Sequence, residues 1–312
     1  MRLVPSCPSL RLAGLFALGV LALSPSAARA EIKPFELNMD RVKIVDPKGL
    51  AAPAYFVPSA NLVVSCSGSV WAQSKAGGSN AKAHGKFFVN GLDKTLLQGL
   101  ARKVQDDLVE KLRATGATVY TYDDFKAESI VAGRGRLSPD AKWGFPTWTQ
   151  APLTYLRVAP TDEQQFERGL AASPAFWLQS LVKEKKLIVL LPEITFTVPQ
   201  MWGEVEAGYK RDSAGIAVNS TMLLHGGMVY VNNPQGSFTT IQIQTHGRRP
   251  ASEVTGTIKK MSEDTTSFSA AWKQSSSDWV MTLDPQAFSD GILRVSYAIN
   301  DMTVAQIKKV RK

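Results

Sequence analysis

The chain has 312 residues, of which 44% are hydrophobic and 20% charged, and a formal net charge of +9. Those proportions exclude a disordered chain, which needs fewer apolar and more charged residues. Two cysteines, Cys7 and Cys66, exclude a disulfide-stapled scaffold.

The first thirty residues carry the three parts of a secretion signal. Arg2 and Arg11 form a basic start without an acid, Leu12 to Leu23 is an apolar run, and Ala28-Arg29-Ala30 follows Pro25 as an A-x-A cleavage signal. The apolar run is shorter than the roughly 20 residues of a transmembrane helix. The expectation is cleavage near Ala30, a mature chain from Glu31, a periplasmic or extracellular address, and no transmembrane segment after cleavage. Cys7 precedes the apolar run, so no lipid-attachment cysteine follows it. Residues 1–30 hold three arginines and no acid, so their removal lowers the net charge to +6. That is too mild for a nucleic-acid binder. It allows an anionic partner such as a cell-wall polymer or lipid headgroup. Cys66 is then the single cysteine, and its LVVSCSGSV setting predicts burial as a small apolar side chain.

Residues 31–60, dotted with Pro34, Pro47, Pro53 and Pro58, read as an extended lead-in. Residues 61–71 read as a strand, and the Gly- and Lys-rich stretch 73–86 as an exposed loop. From Leu92 to Thr115, Leu92, Leu96, Leu97, Leu100, Ala101, Val104, Leu108 and Leu112 recur at spacings of three and four. That is one apolar stripe on an α-helix. Asp107 and Lys111 can pair across one turn of it, and Gly116 suits a left-handed C′ position. Residues 117–122 read as a strand. Residues 61–122 are therefore strand, loop, helix, strand, and strands so connected within one sheet run parallel with a right-handed crossover.

Asp123 and Asp124 are placed to open a short helix through Ile130. Residues 133–160 read as a long irregular stretch, and residues 161–182 as helical with Thr161 as N-cap and a break at Pro174. The continuous apolar run LIVLLPEITFTV, 187–198, predicts a strand in the middle of a sheet, with Pro192 at a bulge or end. Beyond residue 213 the pattern is strand after strand, including ILRVSYAI near the end, and Thr240, Gln242 and Gln244 alternate with Ile241 and Ile243. The predicted class is α+β or mixed α/β: an α/β half over 61–212 and a β-rich antiparallel half over 213–312, as one continuous domain or two.

No catalytic, metal or cofactor motif is complete. Gly85-Lys86 lacks the partner glycine and the Ser or Thr of a phosphate loop. Gly133-Arg134-Gly135 lacks the third glycine of a dinucleotide turn, and no G-x-S-x-G elbow occurs. His84, His225 and His246 lack ligand-type partners at helical spacing, so neither metal nor cofactor is predicted. Glu204 and Glu206 beside Trp202 lie two apart on one strand face, whereas glycosidic cleavage needs acids on opposite sides of a sugar. The aromatic residues Trp143, Phe145, Trp148 and Tyr155, in WGFPTWTQAPLTY, form the candidate binding set. They serve either as a stacking platform for a partner or as a loop that folds its own rings onto the body.

The stretch LLQGLARKVQDDLVEKLRATGATVYTYDDF resembles the start of a group of bacterial envelope proteins. The group holds the curli-secretion lipoprotein, the activators of peptidoglycan synthases and the N-terminal domain of the Tol periplasmic protein. The matching residues are Leu97, Ala101, Leu108, Leu112, Gly116, Val119 and Asp123-Asp124, within a stretch of about thirty positions, and the β-rich remainder has no counterpart to align. The resemblance implies an α/β domain used for binding and assembly without catalysis, and it transfers no site residue. The functional expectation is a non-enzymatic envelope protein that binds or scaffolds an envelope protein or anionic cell-wall polymer. The alternatives are a secreted hydrolase, with Asp123, Glu193 and Glu204 as candidate acids, and a small-ligand carrier.

Overall fold

Strand β3, Asn61–Ala76, and strand β8, Leu187–Thr197, run side by side in parallel through the centre of the molecule. The computed structural model describes residues 37, 39–45, 47–76, 79–132, 143–145, 153–166, 178–206, 213–234, 238–244, 253–269 and 272–311. The predicted signal, Trp148 and His246 lie outside the described residues. All described residues belong to one compact unit.

The strands before the first long helix are β1 (Val42–Ile44), β2 (Ala54–Val57), β3 and β4 (Ser79–Asn90). Helix α1 (Lys94–Arg113) follows, then β5 (Thr118–Thr121), α2 (Tyr122–Phe125), α3 (Ser129–Ala132), β6 (Trp143–Phe145) and β7 (Leu153–Val158). Helix α4 (Gln179–Lys185) precedes β8, β9 (Gln200–Glu206) and β10 (Ser213–Asn219). The remainder is β11 (Thr221–Asn232), β12 (Phe238–Gln244), β13 (Glu253–Val254), β14 (Gly256–Ser269), β15 (Trp272–Leu283) and helix α5 (Pro285–Val310). Among the described residues, thirteen strands make one mixed sheet: eight follow the path β1-β12-β11-β8-β3-β4-β15-β14, while β2, β5, β6, β7 and β13 pair off it, and β9 and β10 make a separate antiparallel pair. The class is α+β. Strands of the C-terminal half, β11 and β15, pair with β8 and β4 of the first half, so one sheet runs through both.

Helix α1 forms where the apolar stripe predicts it. Asp93 caps its start by accepting from the Thr95 and Leu96 amides at 3.3 Å. Gly116 has φ +79°, the left-handed conformation expected of it. The buried face, Leu97, Leu100, Ala101, Val104, Leu108 and Leu112, packs in the main core with α5. Each such leucine contributes about 1.5–3 kcal/mol on burial. Lys111 pairs with Asp107 at 3.0 Å and reaches Asp301 on α5 at 2.7 Å. At the helix crossing the buried Asn300 amide donates to the Val104 carbonyl at 2.9 Å. Thr121 and Asp124 form a capping box that opens α2.

Strand β8 is central, paired with β2, β3 and β11. One edge of it meets β2 at Leu187–Val189 and β3 from Glu193 onward. Pro192 falls in the gap between these two partners on that edge and stands opposite Val229 of β11 on the other. The connection between β2 and β3 is buried at Pro58, Ser59 and Ala60. Its exposed-backbone problem is solved by side chains: Gln105 donates to the Val57 carbonyl at 2.8 Å and Gln164 to the Pro58 carbonyl at 2.9 Å. Ser65 binds both backbone groups of Val198, at 2.8 and 2.9 Å, where β8 leaves the sheet.

Five segments differ from the sequence expectations. Residues 31–60 are not all an extended lead-in, because Ala54–Val57 form β2 between β5 and β8, with Tyr55, Phe56 and Val57 fully buried. Apolar pairing there outweighs the prolines, which flank the strand instead of interrupting it. The expected loop 73–86 is the β3–β4 hairpin. Its composition reads as loop, but its small residues alternate inward and its polar ones outward. Residues 292–299, ILRVSYAI, lie within α5 and not on a strand. Phe288, Ile292, Val295, Ile299 and Ile307 form a helical stripe on the main core, and Asp284 with Pro285 begins the helix. The stretch 133–160, expected to be irregular, contributes β6 and β7. Over 161–182, Thr161 caps a single turn, Asp162–Gln164, and a helix resumes at Gln179.

Candidate functional site

Beyond its pairing with β7, strand β3 continues with β4 as a hairpin, and β15 and β14 extend it into a four-stranded ribbon. Side chains alternate across such a ribbon. One side carries Ala72, Ser74, Ala81, Ala83 and Gly85, all small. This side is covered by the β9–β10 pair: a Cβ on Gly85 would lie 2.7 Å from Ile216 Cγ2, and one on Gly203 2.8 Å from the Ala72 Cβ. Only small residues allow the two layers to meet that closely.

The other side presents Ser69, Trp71 and Gln73 on β3 and Lys82, His84, Lys86 and Phe88 on β4. Trp71 and His84 are register partners, and their rings stack at 3.9 Å and 18°. Trp71 is nevertheless 57% exposed, as are Met261 at 57% and Phe88 at 47% on the same ribbon. Lys82 and Lys86 occupy the positions diagonal to Trp71, about 7–8 Å away and within reach of long side chains. Gln274, Ser276 and Asp278 of β15 stand opposite Lys82, His84 and Lys86. Asp278 accepts from the Ser262 hydroxyl at 3.2 Å. Burial, followed by the charge of Lys86, holds the His84 imidazole below its ordinary value, with Asp278 opposing them. The face thus sets an exposed aromatic stack between two lysines.

A second polar feature lies inside the body. Arg157 of β7 pairs with Glu193 of β8 at 3.0 Å, and also donates to the Phe166 carbonyl at 3.2 Å. Near it in the sheet, Tyr155 lies 6.5 Å from His225 between ring centroids. Burial raises the Tyr155 phenol, with the Thr197 hydroxyl acting the other way, and burial lowers His225. Cys66 is buried, as its setting predicts.

Of the aromatic set read from sequence, Trp143 and Phe145 lie on β6, opposite Tyr155 and Leu153 of β7. Tyr155 is 1% exposed and packs with Val63, Phe87 and Leu153. It belongs to the interior, not to an open platform. The three acids of the hydrolase reading stand on separate elements with separate partners. Glu193 holds Arg157, Glu204 on β9 accepts from the Trp202 indole at 3.1 Å, and Asp123 on α2 pairs with Lys126 at 3.0 Å. Among the described residues no three His, Cys, Asp or Glu side chains gather as a metal site. No helix among them is long and apolar enough to cross a membrane.

The Trp71–His84 pair was hidden in sequence by the loop-like composition around it. The signal that finds it is period-two alternation: Gln73, Lys82, His84 and Lys86 outward against Ala72, Ser74, Ala81, Ala83 and Gly85 inward. Comparison of the chain with protein-family models, curated proteins and solved structures finds no match.

Proposed function

We propose that this chain is an exported, non-enzymatic protein that binds or scaffolds a component of the cell envelope, and that the Trp71–His84 face of its ribbon is the contact surface. The single observation that carries the reading is the exposed Trp71 ring, held in place by His84 on a rigid four-stranded ribbon. Large aromatic side chains on ordered strands lose little conformational entropy on binding, which is why they dominate contact surfaces. The export signal read over residues 1–30 supports the envelope address, and the resemblance of residues 95–124 to envelope assembly proteins supports a role without catalysis. The separate placement of Asp123, Glu193 and Glu204 speaks against the hydrolase built on those acids.

The test is photocrosslinking in intact cells. A photoreactive residue at Gln73, beside Trp71, should give a discrete envelope adduct that disappears in the Trp71→Ala chain. Fractionation should place the protein outside the cytoplasm. Adducts unaffected by Trp71→Ala would overturn the surface assignment, and a cytoplasmic protein would overturn the function.

A further inference from the structure

From the charge and geometry of this face we infer its ligand class: an anionic polysaccharide, whose sugar rings stack on Trp71 and whose acid groups meet Lys82 and Lys86. The inference rests on the contact surface proposed above and adds the chemistry of what it holds.

Trp71 has two ring faces. His84 stacks on one at 3.9 Å, and the residue is still 57% exposed, which leaves the other for a ligand. A pyranose offers a flat patch of C–H groups that suits such an aromatic face. The residues around the ring add the rest of a carbohydrate site. Lys82 and Lys86 lie on the two diagonals of Trp71, on either side of His84 and about 14 Å apart along β4 at roughly 3.4 Å per residue. A chain laid along the strand over Trp71 therefore meets a positive charge before and after the ring. Ser69 and Gln73 flank Trp71 on β3, and Ser276 and Gln274 stand across from β4. These neutral groups donate and accept hydrogen bonds as sugar hydroxyls require. One carboxylate borders the strip directly. Asp278 is opposite Lys86 and accepts from Ser262, and Asp264 lies on β14. Lys82, His84 and Lys86 make β4 the basic strip of the face, with Asp278 at its border.

The commitment to a polysaccharide, and not to an acidic peptide, follows from the pairing of one stacking platform with two flanking cations. The hydroxyl and amide groups beside the ring complete the match to a polyhydroxylated polymer, and poly-glutamate in the experiment below tests the acidic peptide.

The experiment uses the purified mature chain and three probes: oligogalacturonate, a malto-oligosaccharide of the same length, and poly-glutamate. Calorimetry should show binding of oligogalacturonate, with the neutral sugar and the sugar-free polyanion at least about tenfold weaker. Trp71→Ala should weaken oligogalacturonate by about tenfold or more, as for an aromatic anchor. Trp71→Phe should recover most of it. Lys82→Gln with Lys86→Gln should reduce the salt dependence of binding. Trp71 is largely exposed, so these variants should melt with the parent chain, and circular dichroism checks this. Equal binding of poly-glutamate, equal binding of the neutral sugar, or indifference to Trp71→Ala would each overturn the ligand class. If oligogalacturonate fails while the crosslink at Gln73 yields a protein adduct dependent on Trp71, the ligand class falls and the contact surface stands. Loss of both overturns both.

Discussion

Arg157 and Glu193 reach each other from β7 and β8, the two strands that flank β3, with side chains only 3% and 9% exposed. A charge left alone at that depth is expensive, whereas replacing the whole pair with apolar groups is often neutral. Arg157→Met is expected to cost about 3–5 kcal/mol in urea unfolding. Adding Glu193→Leu should restore most of the loss. A single variant as stable as the parent would show that the pair is not what satisfies Glu193.

His225 gives the molecule a predictable response to acid. It is the extra residue of a bulge in β11, between Leu224 and Gly226, and burial lowers its pKa below the ordinary 6.5. The unfolded chain therefore takes up a proton at this site before the folded chain does. Stability is full above pH 6.5 and falls as the pH drops from there toward the folded value. His225→Gln should flatten that fall, measured as urea midpoints at successive pH values. An unchanged slope would assign the effect to other groups.

The close approach of the second layer to the ribbon is set by glycine. A Cβ on Gly85 meets Ile216 at 2.7 Å, so Gly85→Val should push β9–β10 away and cost about 1–3 kcal/mol. The compensating Ile216→Ala should recover part of it. Proteolysis of the β9–β10 segment should rise in Gly85→Val and fall back in the double variant. Equal protection in all three chains would contradict the packing.

Helix α5 begins on Asp284, whose carboxylate accepts from the Gln286 and Ala287 amides at 2.9 and 3.0 Å. Asp284→Ala should lower stability by about 1 kcal/mol, and Asp284→Asn should lower it less. Thermal unfolding with a helix signal at 222 nm reads both. A neutral Asp284→Ala would mean that the helix starts elsewhere.

Helix α1 was legible because its signals are local. The stripe from Leu97 to Leu112, the acid four residues before Lys111 and the glycine at 116 lie within a few turns of one another, so the sequence carries them without knowledge of the fold. The run 187–198 likewise declares a central strand, since only a strand covered on both faces is apolar at every position. The burial of Cys66 follows from the same kind of reading. The two halves divided at residue 213, by contrast, share a sheet, and no local pattern announces that β11 pairs with β8 or β15 with β4.

What the sequence by itself determined is therefore the α+β class, helix α1 with its closing glycine at 116, and the central strand. The tertiary structure decided the rest by supplying partners. Ala54–Val57 became a core strand because β5 and β8 stand on either side of it. ILRVSYAI became helix because its apolar residues, taken every third or fourth, find the core beside α1. The stretch 73–86 became a ribbon because β15 pairs along β4 and a second layer fits its small residues. Trp71 and His84 are thirteen residues apart, and only that pairing stacks them. Long-range pairing selects among the conformations that local composition leaves open, and it does so where Trp71 and His84 meet.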